Sequence, residues 1–162
     1  MKRLTALLLC FLLALSACSN PKEANTSSEF QLYFTTNGDY GPAIVSQPYT
    51  GNLPPSPQDL ILALLAGPAD DTLFSPFPTG LTLRGYKLEN GRFLVDFSEQ
   101  YSGLSDISLT LADYCLVLTL CQLDSISSVE ITAVGSPVPH RSHQVLTPEE
   151  ALLTLDRFPS SS

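Results

Sequence analysis

The dipeptide Asn90-Gly91 is the sequence feature that most narrowly limits how this chain can fold. It lies between two segments rich in apolar residues, Leu81 to Leu88 and Phe93 to Phe97. A type I′ turn needs positive φ at both central residues, and Asn-Gly meets that requirement best. The sequence therefore predicts an antiparallel hairpin. A bulge is expected at Gly85, where the apolar alternation of the first strand breaks.

Two helices are predicted, one before and one after the hairpin in the sequence. The first begins after the N-cap Ser56, with Pro57 at its first position, and ends at Gly67-Pro68, because Gly can take the left-handed C′ conformation and Pro blocks continuation. The second runs from Leu109 to about Leu123 and is capped by Ser108. Because this second helix is apolar around most of its circumference, it must be covered on more than one side.

Alternating apolar and polar positions predict two further strands, Phe30 to Thr36 and Val129 to Ala133. The segment between Tyr40 and Pro55 is rich in Gly and Pro, so we expect at most a short edge strand there, at Ala43 to Gln47. The element order is then β-α-β-β-α-β. This order predicts an α+β sandwich, a sheet with two helices on one face.

A short C-terminal helix is predicted after Thr147-Pro148, with Leu152, Leu155 and Phe158 available for packing.

The first eighteen residues have the layout of an export signal. Lys2 and Arg3 form a basic start, and Leu4 to Leu15 is an almost unbroken apolar run. The run is too short to cross a hydrocarbon core of about 30 Å, which needs roughly 20 apolar residues. We therefore expect residues 1–17 to be a signal peptide and not an anchor helix.

Cys18 directly follows the expected cleavage position. Leu15, Ser16, Ala17 and Cys18 resemble the bacterial lipobox, in which the cysteine thiol receives a diacylglycerol before cleavage. The alternative is an ordinary cleavage site beside a chance cysteine. With the lipobox, Cys18 becomes the mature N-terminus, and its acyl chains, at about 0.8 kcal/mol per buried methylene, anchor the protein at the extracytoplasmic face of the cell membrane.

The segment after the lipobox, residues 18–29, is polar and without apolar periodicity, which predicts a flexible tether reaching only about 20 Å. Loss of Lys2 and Arg3 with the signal leaves 6 basic and 16 acidic residues, a net charge of about −10. Nucleic acids and anionic lipids select basic surfaces, so this balance argues against nucleic-acid binding and against membrane binding by charge.

Two of the four cysteines, Cys10 and Cys18, belong to the signal and the lipid site. The other two, Cys115 and Cys121, are six residues apart in the second predicted helix, about 9 Å along its axis. That separation exceeds the roughly 7 Å between Cα atoms that a disulfide allows. We expect two buried free thiols.

Five short motifs follow one another between about Glu29 and Gly135. They are Leu64 to Pro68, Leu73 to Leu83, Asn90 to Ser98, Thr119-Leu120 and Ser128 to Ile131. In this order they resemble the GerMN (sporulation and spore germination) domain of bacterial envelope lipoproteins. The resemblance implies that residues 30–135 are an extracytoplasmic, non-enzymatic domain that binds an envelope protein or a second copy of itself. Residues 136–162 match nothing in the family and form a C-terminal extension.

Few residues have the spacing of a chemical site. His140 and His143 could share a metal, but no third ligand is close in sequence and prolines flank the pair, which favours an exposed loop. Asp96 and Glu99 could form a carboxylate pair, although Asp96 is also an ordinary polar position of a strand. Nucleophile motifs and phosphate-binding glycine loops are missing. We therefore predict no catalytic residue, no cofactor and no metal.

Two features leave an alternative open. The proline-containing loop from Ala69 to Gly80 suggests binding of a small ligand or a cell-wall glycan. Tyr33, Tyr86 and Tyr101 could mark an interface, where tyrosine is enriched, although packing is the more common role for each.

Overall fold

The structure is a computed structural model that describes residues 30–39 and 41–151. Within these ranges the chain forms two α-helices and two β-sheets, which confirms the α+β class. The signal peptide, the lipobox and the tether of residues 18–29 lie outside the described residues, as do Leu152, Leu155 and Phe158. No helix in the described ranges is both long enough and apolar enough to span a bilayer.

The first two strands form a sheet of their own. Strand β1, Gln31–Gly38, pairs antiparallel with β2, Gly41–Pro48, along their full lengths. The sequence predicts β1 correctly but predicts only a short β2, because Gly41, Pro42 and Pro48 resemble turn residues. Proline is tolerated in β2 because an edge strand leaves some N–H groups without a partner strand. Strands β1 and β2 form a sheet separate from the larger one, so the predicted single sheet is two sheets.

Helix α1, Pro57–Ala66, has the predicted boundaries. Ser56 and Asp59 form a capping box: the Asp59 N–H donates to Ser56 Oγ at 3.2 Å, and the Ser56 N–H donates to Asp59 Oδ2 at 2.9 Å. Gly67 ends the helix with φ 91° and ψ 172°, so its φ is positive as expected, but its ψ is extended and not helical.

The larger sheet is built on the predicted hairpin. Strands β3, Leu83–Glu89, and β4, Arg92–Phe97, pair antiparallel, and the register shifts between Leu83 and Gly85, which confirms the bulge. Asn90 and Gly91 have φ of 51° and 81°, as a type I′ turn requires.

The sheet continues with β5, Ser128–Ala133, which pairs parallel with β4. Two short strands, β6 (Ser136–Pro137) and β7 (Val145–Leu146), pair antiparallel with β5. The order is β3-β4-β5-β6, with β7 beside β5, so among the described strands β3 is an edge of the sheet.

Helix α2, Asp106–Leu120, begins three residues earlier than predicted. Ser105 is the N-cap, and the Ser105 N–H donates to Ser108 Oγ at 3.3 Å, so Ser108 is the third residue of the helix and not its cap. The predicted cap, Ser108, is therefore wrong, because Ser105 and Ser108 both satisfy the local capping rule. The helix ends at Leu120, with Cys121 as C-cap.

Several elements cover α2, as its apolar circumference requires. It contacts β1 and β2 on one side and α1 and β5 on others. Its fully buried side chains include Leu116, Val117 and Leu120. The main core therefore lies where α2, α1 and the inner face of the larger sheet meet, with the β1–β2 hairpin closing it.

The segment after β5 packs onto the domain. Val138, Leu146 and Ala151 are buried, and β6 and β7 extend the larger sheet. At the predicted C-terminal helix the structure shows a 3₁₀ turn, Pro148–Glu150, preceded by Thr147. The Thr147 N–H donates to Glu150 Oε2 at 3.0 Å, which confirms the expected cap.

Candidate functional site

The most strongly buried polar cluster joins Tyr101, Asp113 and Arg141. Arg141 Nε donates to Asp113 Oδ2 at 2.9 Å, and Arg141 Nη2 donates to Asp113 Oδ1. The Tyr101 hydroxyl donates to Asp113 Oδ1 at 2.7 Å. The guanidinium also lies over the Tyr101 ring, 5.9 Å from its centre, within the range of a cation–π contact.

Each of the three residues comes from a different part of the fold. Tyr101 belongs to the 3₁₀ helix Glu99–Gly103 after β4, Asp113 to the middle of α2, and Arg141 to the loop between β6 and β7. Arg141 Nη1 donates to the Ile131 carbonyl at 3.0 Å, which ties that loop to β5 as well. The cluster therefore fastens the segment after β5 to the helix and the sheet.

Burial raises the pKa of both acidic groups of the cluster, Asp113 and Tyr101. It raises the pKa of the Asp113 carboxyl, and the hydrogen bonds and positive charge of Arg141 and the Tyr101 hydroxyl oppose that rise. Burial, together with the neighbouring Asp113, raises the pKa of Tyr101 well above its ordinary value, so the hydroxyl stays protonated and donates. Because these polar groups satisfy one another's hydrogen bonds, we assign the cluster a role in stabilising the fold.

Sequence reasoning missed this cluster. His140 and His143 are exposed, as the predicted loop requires, but Arg141 between them turns inward, and its side chain is only 4% exposed. A single arginine in a loop carries no sequence signal that identifies a buried partner 28 residues away. The lone aspartate in an apolar helix, Asp113, was the available signal, since buried charges are paired.

A small cleft of about 150 Å³ lies over this cluster and includes His140 and His143 in its walls. His143 Nε2 is 3.0 Å from Glu150 Oε1, and Nδ1 is 3.0 Å from Ser142 Oγ. The described residues contain no group of three or more His, Cys, Asp or Glu side chains placed to hold a metal ion. His143 pairs with the carboxylate of Glu150. The described residues therefore do not place His140 and His143 around a common metal position.

The two candidate catalytic carboxylates have separate surroundings. Asp96 Oδ1 accepts from Thr132 Oγ1 at 2.8 Å and from the Gly135 N–H at 2.7 Å, and Oδ2 lies 3.5 Å from Arg84 Nη1. Glu99 lies at the exposed start of the 3₁₀ helix. Asp96 therefore fastens the turn after β5 to β4, which is a structural role.

Cys115 in α2 and Cys121 at its C-cap are both free thiols, as expected. Cys115 is buried, whereas Cys121 is only half-buried, so the prediction of two buried thiols is wrong for Cys121. Cys121 is more open because the helix ends there. Burial, followed by the nearby Glu149, raises the pKa of Cys121 to about 11.

The three tyrosines have different environments. Tyr101 is fully buried and Tyr33 is half-buried. Tyr86 on β3 is 46% exposed, and its ring stacks on Phe93 with centroids 5.3 Å apart. Tyr86 is therefore the most exposed of the three.

The edge strand β3 presents the clearest candidate interaction surface. Tyr86 and Leu88 are opposite Val95 and Phe93 on β4, so they point to the same sheet face as these two buried residues. Tyr86 and Leu88 are nevertheless 46% and 44% exposed. We call residues 86–89 the β3 edge. Sequence reasoning predicted the strand but could not show that its apolar face extends beyond the core.

The proline-containing loop forms a second, smaller feature. Phe74 is exposed, but its backbone is fixed to Thr35 by two hydrogen bonds, of 3.0 and 2.8 Å. A cleft of about 270 Å³ lies between this loop and the end of α1, lined by Leu65, Phe77 and Pro78 among others. Its volume is just below the range of about 300–1,000 Å³ typical of small-molecule sites.

Solved structures of GerMN domains share this fold. The first GerMN domain of the sporulation protein GerM from Bacillus subtilis has a TM-score of 0.57 and 16% identity, over 74% of this chain and 98% of that one. The tandem GerMN domains of the same protein give a TM-score of 0.54 and 21% identity, over 66% of this chain. This chain spans only 39% of that tandem structure.

A third similar structure is that of a Clostridium perfringens protein provisionally described as a lipoprotein. Its TM-score is 0.50 and its identity 21%, over 74% of this chain and 87% of that one. Among curated protein sequences none matches this chain. A family model described as Germane, sporulation and spore germination, matches residues 31–139, more than half of the chain. The chain therefore belongs to the Germane family of sporulation and spore germination domains.

Proposed function

We propose that this chain is an envelope lipoprotein, anchored through Cys18 at the extracytoplasmic face of the cell membrane, whose GerMN domain binds another envelope protein without catalysing a reaction. The observation that carries the proposal is the sequence Leu15-Ser16-Ala17-Cys18 directly behind an apolar signal. The polar tether of residues 18–29 would keep the domain within about 20 Å of the bilayer. Family membership supports a role related to sporulation or germination.

The described residues support a binding role in two ways. In the buried polar cluster, Tyr101, Asp113 and Arg141 bond to one another and to the Ile131 carbonyl, which is the arrangement of a structural cluster. The exposed apolar groups of the described residues include Tyr86 and Leu88, two positions apart on the same face of the edge strand β3. Such a surface is suited to protein contacts, since large apolar side chains dominate interface energies.

Metabolic labelling with a lipid precursor tests the anchor. We expect label in the full-length protein and none in the Cys18→Ala variant, because the Cys18 thiol is the acceptor. Label that survives the substitution would disprove lipid attachment at Cys18. The Cys115→Ala variant is a suitable control, because this thiol is buried and belongs to the folded domain.

The alternative is binding of a small ligand or a cell-wall glycan at the proline-containing loop. The cleft of about 270 Å³ between this loop and α1 favours that alternative. Pull-down on purified cell wall, set against crosslinking in intact envelopes, separates the two. Protein crosslinks without wall retention support the protein-binding role, and wall retention lost in a Phe77→Ala variant supports the glycan.

A further inference from the structure

We propose that two copies of this chain associate through the β3 edge, with β3 pairing antiparallel to β3 of the second copy and Leu88 opposite Leu88. The inference rests on the proposed function, since it names a partner for the same anchored domain. It starts from the exposed positions Tyr86 and Leu88, whose sheet face is otherwise buried.

The backbone of the β3 edge is oriented for such pairing. In a two-residue hairpin the residues flanking the turn, here Glu89 and Arg92, form a hydrogen-bonded pair. Pairs then alternate along an antiparallel ladder, so the N–H and C=O groups of Leu88 and Tyr86 point away from β4. Among the described strands β3 pairs only with β4, so these groups face the open edge.

Charge selects the register. Lys87 and Glu89 point to the outer face of the sheet and form an ion pair within one strand. With Leu88 at the centre, Lys87 of each copy lies opposite Glu89 of the other, which gives two ion pairs across the contact. With Lys87 at the centre, two lysines would lie directly opposite each other, which is unfavourable. With Tyr86 at the centre, the bulge at Gly85 would interrupt the ladder.

The surroundings also favour this edge for contact between like-charged molecules. The described part of the chain has four basic residues, Arg84, Lys87, Arg92 and the buried Arg141. The three exposed ones lie on the β3–β4 hairpin, paired with Asp96, Glu89 and Glu130 respectively. The hairpin is thus close to neutral in a strongly acidic protein, so two copies repel each other least there.

In this register only residues 87–89 of the two β3 strands pair with each other, so the contact is weak between molecules free in solution. Anchoring both copies within about 20 Å of one membrane raises their effective concentration. Lysine and a bulge on an edge strand normally discourage pairing with unrelated strands. In the register centred on Leu88 the lysine is matched by Glu89 and the bulge lies outside the paired segment.

Cysteine crosslinking of the full-length protein in its own membrane tests the contact. Opposed residues of a hydrogen-bonded antiparallel pair have Cα atoms about 5.5 Å apart, within the range a disulfide accepts. We expect mild oxidation of the Leu88→Cys variant to give about tenfold more disulfide-linked homodimer than the Ile107→Cys variant. Ile107 on α2 is a matched control, because it is 49% exposed. The unsubstituted protein measures the background from the native thiols.

The register has its own test. Lys87→Cys and Glu89→Cys copies expressed together should crosslink to each other, whereas Lys87→Cys alone should not, because its two sulfurs are offset along the strands. In the Leu88→Cys background, Lys87→Glu should abolish the dimer, and adding Glu89→Lys should restore it, since the charges are matched again.

Three results would overturn the inference. One is a homodimer yield from Leu88→Cys no higher than from Ile107→Cys. Another is a disulfide from Leu88→Cys to a different protein, which would refute self-pairing yet support the proposed protein-binding function. The third is a homodimer yield from Leu88→Cys with Lys87→Glu that equals the yield from Leu88→Cys alone. The lipid-labelling result at Cys18 is read separately, so failure of the anchor and failure of the contact are distinguishable.

Discussion

Arg141 and Asp113 form a two-pronged ion pair in which both side chains are almost fully buried, at 4% and 5% exposure. The arginine lies in the loop between β6 and β7, and the aspartate lies in the middle of α2. The pair therefore joins the segment after β5 to the helix at the centre of the core. This pair, together with Tyr101, gives the clearest stability predictions.

Replacing Arg141 with Ala should destabilise the protein by about 3–5 kcal/mol, because the Asp113 carboxylate would stay buried without its partner. Urea denaturation of the purified protein measures the change in unfolding free energy. Arg92→Ala is the matched control, since its pair with Glu130 is partly exposed and should contribute less than about 1 kcal/mol. Equal losses of unfolding free energy in the two variants would contradict a stabilising role for the Arg141–Asp113 pair.

Tyr101→Phe removes only the hydroxyl that donates to Asp113. We expect a loss of about 1.5–3 kcal/mol, the usual range for a hydrogen bond to a charged group. Tyr86→Phe serves for comparison, because its exposed hydroxyl is 3.4 Å from Gln58 and its loss should change stability by less than about 0.5 kcal/mol. A Tyr101→Phe protein as stable as the parent would show that the Asp113 carboxylate does not need this donor.

Gly91→Ala should destabilise the β3–β4 hairpin by roughly 1–2 kcal/mol, because Gly91 has φ 81°. An added Cβ would also lie 2.9 Å from Ser127 Oγ. Gly103→Ala is the matched control, since its Cβ would meet no atom within 4 Å and its φ lies outside the left-handed region. Thermal unfolding followed by circular dichroism compares them, and a larger effect at Gly103 would be inconsistent with the strained turn.

Ser56→Ala should reduce stability at pH 7 by about 1 kcal/mol through loss of the α1 cap. It should also weaken the dependence of stability on acid pH. Hydrogen bonds from the Ser56 side chain and then from its backbone lower the pKa of Asp59.

The sign of this dependence follows from that lowered pKa. A carboxyl whose pKa is lower in the folded state adds stability above its unfolded pKa, which is about 4 for aspartate. That added stability is lost as the pH falls through the folded pKa. Melting temperatures at pH 7 and pH 3 should therefore differ less in Ser56→Ala than in the parent. Ser46→Ala, an exposed serine on β2, should leave the difference unchanged. A larger difference in Ser56→Ala than in the parent would refute the linkage.

Elements with strong local signals were predictable from the sequence. The Asn90-Gly91 turn and the Ser56-Pro57 cap fix the backbone through residues that are neighbours in the chain, so no distant contact is needed to read them. The start of α2 was less predictable, because Ser105 and Ser108 satisfy the same local rule. The Cys18 lipid site stays a prediction, since it lies outside the described residues.

By itself the sequence determined the α+β class, the β3–β4 hairpin and the bounds of α1, because periodicity and capping are local properties. Only the tertiary structure decided that β1 pairs with β2 apart from the larger sheet. It also decided that Arg141 is buried against Asp113 and that Tyr86 and Leu88 are exposed. These features depend on which distant surfaces meet, and residue spacing along the chain does not encode that.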